Sequence, residues 1–113
     1  MIGYAARVTC TRVAFPALPW TQGNHPLERK KVGAGRPVAL LEFAPGFADP
    51  NWCERSHVIF VCSGALEIEL RDRVERFAAG ECCVIDAGTP HRASNPGSES
   101  VTAFIASEIE VRP

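Results

Sequence analysis

A chain of 113 residues has the length of one domain and can bury a core without disulfides or metal as staples. An apolar content of 46% argues against intrinsic disorder, and a net charge of −1, from 12 basic and 13 acidic residues, offers no electrostatic footprint for nucleic acid or an anionic membrane. No apolar run approaches the roughly 20 residues of a membrane span, and the opening MIGYAARVTCTRV interrupts its apolar stretch with Arg and Thr where a signal peptide needs a continuous one.

The expectation is therefore one cytoplasmic domain over residues 1–113, with no nucleic-acid or membrane partner. The five cysteines, at 10, 53, 62, 82 and 83, are odd in number and irregular in spacing. They read as reduced thiols.

Nine Gly and nine Pro cut the chain into short pieces, and no piece keeps apolar residues at helical spacing for three turns. The pieces are rich in β-branched and aromatic residues. Taken in order, strands are predicted over Ala6–Phe15, Leu27–Val32, Val38–Phe43, His57–Cys62, Ala65–Arg71, Val74–Phe77, Cys82–Ile85, His91–Ser94 and Val101–Glu110. Turn chemistry separates them at Ala44–Gly46, Ser63–Gly64, Arg71–Asp72, Ala79–Gly80, Ala87–Pro90 and Asn95–Gly97. Residues 21–26 read as a loop. Many short strands at close spacing predict an all-β sandwich or barrel.

Several residues stand out within that pattern. The charge run Glu28–Lys31 reads as a solvated strand edge. Glu42 breaks the apolar strand Val38–Phe43, so it faces either solvent or the interior, and an inward Glu42 could contact a ligand. Cys62, Cys82 and Cys83 read as core, and the adjacent pair points to opposite faces, which disfavours a disulfide between them. Cys53 and His57 lie four residues apart. On a straight strand that is roughly 13 Å, too far to share an ion whose bonds are about 2.0–2.3 Å. A bend between the two is needed.

The stretch from Gly80 to Asn95 has a distinctive layout. Gly80 opens a strand, a tight turn carries Gly88 and Pro90, and His91 opens the next strand, with Asn95 on the same face. Gly80, Gly88, His91 and Asn95 fall in register with the second motif of the cupin superfamily, which this chain resembles from about Pro37 to Val101. Asp86 stands where that motif usually has Pro. Gly64 matches the end of the first motif, and Gly46 lies near its start. His57 then occupies the slot usually held by Glu, and Cys53 and Asn51, or Trp52 and Pro50, occupy the two His slots, depending on the gap.

The resemblance implies a cupin-type double-stranded β-helix, a jelly-roll barrel. It implies that the chain bends within the first motif, so that Cys53, His57 and His91 converge inside one end of the barrel. That set suits zinc, nickel or iron, with manganese also considered, and leaves an open coordination position. The bland readings remain beside it: Cys53 as a small buried residue and His57 as a satisfied core histidine. A ligand pocket is expected around Trp52, Ile59, Phe43, Glu42 and Asn95. Val61, Ala93, Cys83 and Phe104 are further lining positions, and Asp49 reads as a loop acid, either solvated or at the cavity rim.

Three functions stay open. The first is a module binding a small organic ligand beside a degenerate metal site. The second is a metal-dependent enzyme, dioxygenase- or isomerase-like. The third is a sensor in which Cys53 responds to thiol chemistry or metal. A homodimer is expected on resemblance alone.

Overall fold

A computed structural model describes residues 10–33 and 35–107. Nine strands occupy these residues: β1 (Thr21–Gln22), β2 (Glu28–Val32), β3 (Val38–Phe43), β4 (His57–Ser63), β5 (Ala65–Glu69), β6 (Val74–Ala78), β7 (Cys82–Ile85), β8 (Arg92–Ser94) and β9 (Val101–Ser107). They form a six-stranded sheet in the order β1-β2-β3-β9-β4-β7 and a three-stranded sheet in the order β6-β5-β8. Every pairing is antiparallel. Two antiparallel sheets facing each other across one core make the jelly-roll expected of the sequence.

Alternation explains which residues fill that core. Along β4, Ile59 and Val61 are buried while Val58 and Phe60 are exposed. Leu66 and Ile68 of β5 meet them from the smaller sheet, with Cys83, Ile85, Val101 and Ala103 completing the packing. The same alternation corrects two cysteine expectations. Cys62 and Cys82 are exposed, because their neighbours Val61 and Cys83 take the inward positions. All five cysteines are free. Burial, with smaller contributions from Cys82 and Glu75, pushes the Cys83 thiol up to about 11.

Gly64 makes the turn from β4 to β5 with φ +77°, a conformation that disfavours side chains. A Cβ there would also lie 2.8 Å from the Ser100 carbonyl oxygen.

The chain departs from expectation at its start. Of the strand expected over Ala6–Phe15, residues 6–9 lie outside the described residues, and 10–14 form no strand. Phe15–Ala17 is instead a 3-10 turn, since Pro16 fixes its own φ and has no N–H for a ladder. The Phe15 ring packs edge-on against Phe104, 6.1 Å away, and its carbonyl accepts from Lys31 Nζ. Thr21–Gln22, expected as loop, pairs with Lys30 and Arg29 as a short edge strand. Residues 108–110 of the last predicted strand lie outside the described residues. No helix among the described residues is long and apolar enough to cross a membrane.

Candidate functional site

The bend that brings Cys53 near His57 is made by a strand-like segment beside β8. Asn95 N–H donates to Phe47 O and Asp49 N–H to Ala93 O, and Cys53 and His91 exchange two backbone hydrogen bonds of 2.8 and 2.9 Å. Between the last two rungs the chain takes four steps on the Asp49 side against two on the His91 side. The excess residues bulge outward. Pro50 lacks an N–H for the ladder, and the Asp49 carboxylate accepts from Asn51 N–H across the bulge. Cys53 is therefore carried by the smaller sheet, while His57 opens β4 in the larger one.

Across that seam Cys53 Sγ lies 3.6 Å from His57 Nε2. Two bonds of about 2.0 and 2.3 Å at a tetrahedral angle separate their donor atoms by roughly 3.5 Å, so this pair fits one ion as it stands. The His57 and His91 rings meet edge to face, with centroids 5.1 Å apart. One donor atom from each of Cys53, His57 and His91 lies within 4.8 Å of the others.

Each donor is also oriented from behind. His91 is buried, and its Nδ1 is 2.8 Å from the Thr89 carbonyl. A carbonyl only accepts, so Nδ1 carries the hydrogen and Nε2 keeps its lone pair for a ligand. His57 Nδ1 is 2.8 Å from the Ser107 hydroxyl, and the sulfur of Cys53 accepts from Arg55 N–H at 3.4 Å. Such contacts fix how the donor side chains are oriented, as the outer partners of metal ligands do.

The three side chains line one end of a cavity of about 280 Å³. Leu41, Phe43, Phe47, Ile59 and Ile105 form its apolar wall, and Leu66, Ile68 and Ala93 close it from the smaller sheet. Its charged groups are Glu28 and Lys30 of β2, Asp49, and Arg92. A second space of about 270 Å³, bounded by His25, Trp52 and the exposed Pro50 and Asn51, shares Asn24, Glu28, Phe47, Asp49 and Cys53 with the first and lies nearer the surface.

Of the pocket expected from the sequence, Phe43, Ile59, Ala93 and Asp49 line this cavity. Glu42 does not. It alternates with the inward Leu41 and Phe43 and pairs with Arg29 at 2.6 Å on the other face of the sheet. Asn95 does not either. Fully buried, its amide nitrogen donates to Phe43 O at 3.0 Å and Glu99 O at 2.8 Å, and its side-chain oxygen accepts from Gly97 N–H, so its capacity is spent tying loops together. Trp52 lies in the outer space, where the guanidinium carbons of Arg71 and Arg92 sit 4.0 and 4.3 Å from its ring centroid. Its ring is taken up by cations and not presented to the inner cavity.

Val61 and Cys83 are core, and Phe104 faces outward because Ala103 and Ile105 take the inward positions of β9. Arg92, on the cavity wall, is held by Glu69 through contacts of 2.8 and 3.4 Å. That bond keeps the exposed Glu69 carboxyl below its usual range.

Glu28 and Lys30 are the wall residues that the sequence hid. In a run of four charges either face could be the wet one. Only the pairing of Lys30 with Leu41 and of Glu28 with Phe43 turns these two inward.

The Cupin_2 family model, a cupin domain, matches residues 39–107. The chain belongs to the cupin family. No curated protein matches it. Solved structures share the fold at low identity. The polyketide cyclase RemF from Streptomyces resistomycificus superposes with a TM-score of 0.74 at 20% identity, covering 88% of this chain and 79% of that one. KdgF from a Halomonas species gives 0.72 at 23% identity, covering 90% and 96%. A cupin sugar phosphate isomerase from Silicibacter pomeroyi gives 0.69 at 14% identity, covering 88% and 76%. At such identities the likeness extends to the barrel and not to a reaction. In this cupin, Cys53 and His57 each bring a donor atom close to one of His91.

Proposed function

We propose that this cupin holds one divalent transition metal at Cys53, His57 and His91 and binds a small organic ligand in the adjoining cavity. The observation that carries the reading is the convergence of three donors, two of them imidazoles and one a thiol, within 4.8 Å at the end of an apolar-walled cavity. Sulfur with imidazole suits zinc, nickel or iron, and fits manganese least of the metals considered. Three protein donors leave a coordination position free. A metal bound there would act as a Lewis acid or orient an oxygen-bearing ligand. The chain's own residues supply the rest: His91 and His57 are fixed by Thr89 and Ser107, and the apolar wall excludes water from the bound ligand.

Elemental analysis of the purified protein tests this, with about one equivalent of metal expected per chain. His57→Ala and His91→Ala are expected to lose it. Retention in Cys53→Ala would remove sulfur from the donor set. An absence of metal after supplementation with zinc, nickel, iron and manganese would sink the reading.

The metal-dependent enzyme reading uses the same site and differs only in turnover of the bound ligand. The thiol-responsive reading draws on the N–H directed at Cys53 Sγ and requires Cys53 to alkylate faster than an ordinary thiol. A cytoplasmic homodimer completes the proposal. Its support is the run of apolar side chains left exposed on the outer face of the larger sheet, Val58, Phe60 and Val84.

A further inference from the structure

We infer that the cavity ligand is a small organic carboxylate and that Lys30 is the residue that selects it. The inference rests on the cavity being the ligand site and deepens that reading.

Lys30 is half-buried on β2 and faces into the cavity beside Leu41. Its backbone carbonyl accepts from the Thr21 hydroxyl, but no hydrogen bond or ion pair among the described residues reaches its ammonium. The other charged groups of the wall are engaged. Arg92 is held by Glu69, Glu28 accepts from Asn24 N–H at 3.0 Å, and Asp49 accepts from Asn51 N–H at 2.9 Å. Glu28, two residues along the strand and so roughly 6.6 Å away at the backbone, forms no ion pair with Lys30. An ammonium on a cavity wall without a protein partner is matched by an anionic group of a ligand.

Charge and size narrow the class. Leaving aside a metal at the Cys53 end, the one uncommitted positive charge of the wall, with Glu28 and Asp49 beside it, matches a single negative charge better than a phosphate dianion. A space of about 280 Å³ takes a metabolite-sized molecule. Its apolar wall accepts a short carbon skeleton, and Cys53, His57 and His91 accept a second oxygen function of the ligand.

The test is ligand binding by calorimetry and saturation-transfer NMR. The probes are a panel of three- to seven-carbon 2-oxo, 2-hydroxy and dicarboxylic acids, each beside its primary amide, with inorganic phosphate as a further probe. Wild type is expected to bind members of the acid series and not the matched amides. Lys30→Met, which keeps the stem and removes the charge, is expected to weaken acid binding by about tenfold to a hundredfold. Lys30→Arg is expected to recover most of it, and thermal melts of both variants verify folding.

Equal binding of acids and amides, unchanged acid binding in Lys30→Met, tighter binding of phosphate than of any acid, or no binding across the panel would each overturn the inference. Metal content read on the same samples separates the two claims. Lys30-dependent acid binding without metal removes the metal and keeps the carboxylate, whereas metal retained with acid binding indifferent to Lys30 does the reverse.

Discussion

Asn95 and His91 belong to one sequence motif yet do different work. His91 turns its free ring nitrogen toward Cys53 and His57. Asn95 spends both ends of its amide on the backbone of Phe43, Glu99 and Gly97. Replacing Asn95 with Ala would leave two carbonyls and an N–H without their partner in a buried place. The expected cost is about 2–4 kcal/mol of stability, read from denaturant unfolding, with metal content unchanged. At this scale the sequence was legible for the convergence of Cys53, His57 and His91, which the family resemblance implied and the structure brings together. It was misleading for Glu42 and Trp52. The facing of Glu42 follows from which neighbours turn inward, and Trp52 lies between two cations, Arg71 just past the end of β5 and Arg92 of β8.

Strands rest on simpler rules, and here most were readable. Apolar, β-branched and aromatic runs bounded by turn residues fixed β3 and β7 to their ends, and β4, β5 and β6 to within two residues. What failed lacked such a run. Thr21–Gln22 is too short to show a period, and Pro16 turned a predicted strand into a 3-10 turn. The run Glu28–Lys31 is a strand as expected, but uniform charge carries no inside or outside, so the inward pair on β2 stayed hidden until β3 was laid beside it. Gly64 governs the step from one sheet to the other. Gly64→Ala combines a left-handed backbone with a contact on the Ser100 carbonyl and is expected to cost about 1–3 kcal/mol. Thermal melts would register the loss, and an unchanged midpoint would mean that the turn relaxes freely.

At the scale of the molecule the two faces of the larger sheet are unequal. The inner face is covered by the smaller sheet, whereas Val58, Phe60 and Val84 stand exposed on the outer one. A second copy of the chain is the proposed cover. Light scattering is expected to give twice the chain mass for wild type and a single chain mass for Phe60→Glu, whose charge would have to be buried in the interface. A wild-type monomer at high micromolar concentration would dismiss the dimer.

The candidate site sits on the line where the two sheets meet. Cys53 and His91 are laced to each other by backbone hydrogen bonds within the smaller sheet's margin, and His57 begins a strand of the larger sheet. The backbones that carry the three donors can therefore move apart only if the sandwich itself parts at that end. Whatever the donors grip becomes a clasp on the fold.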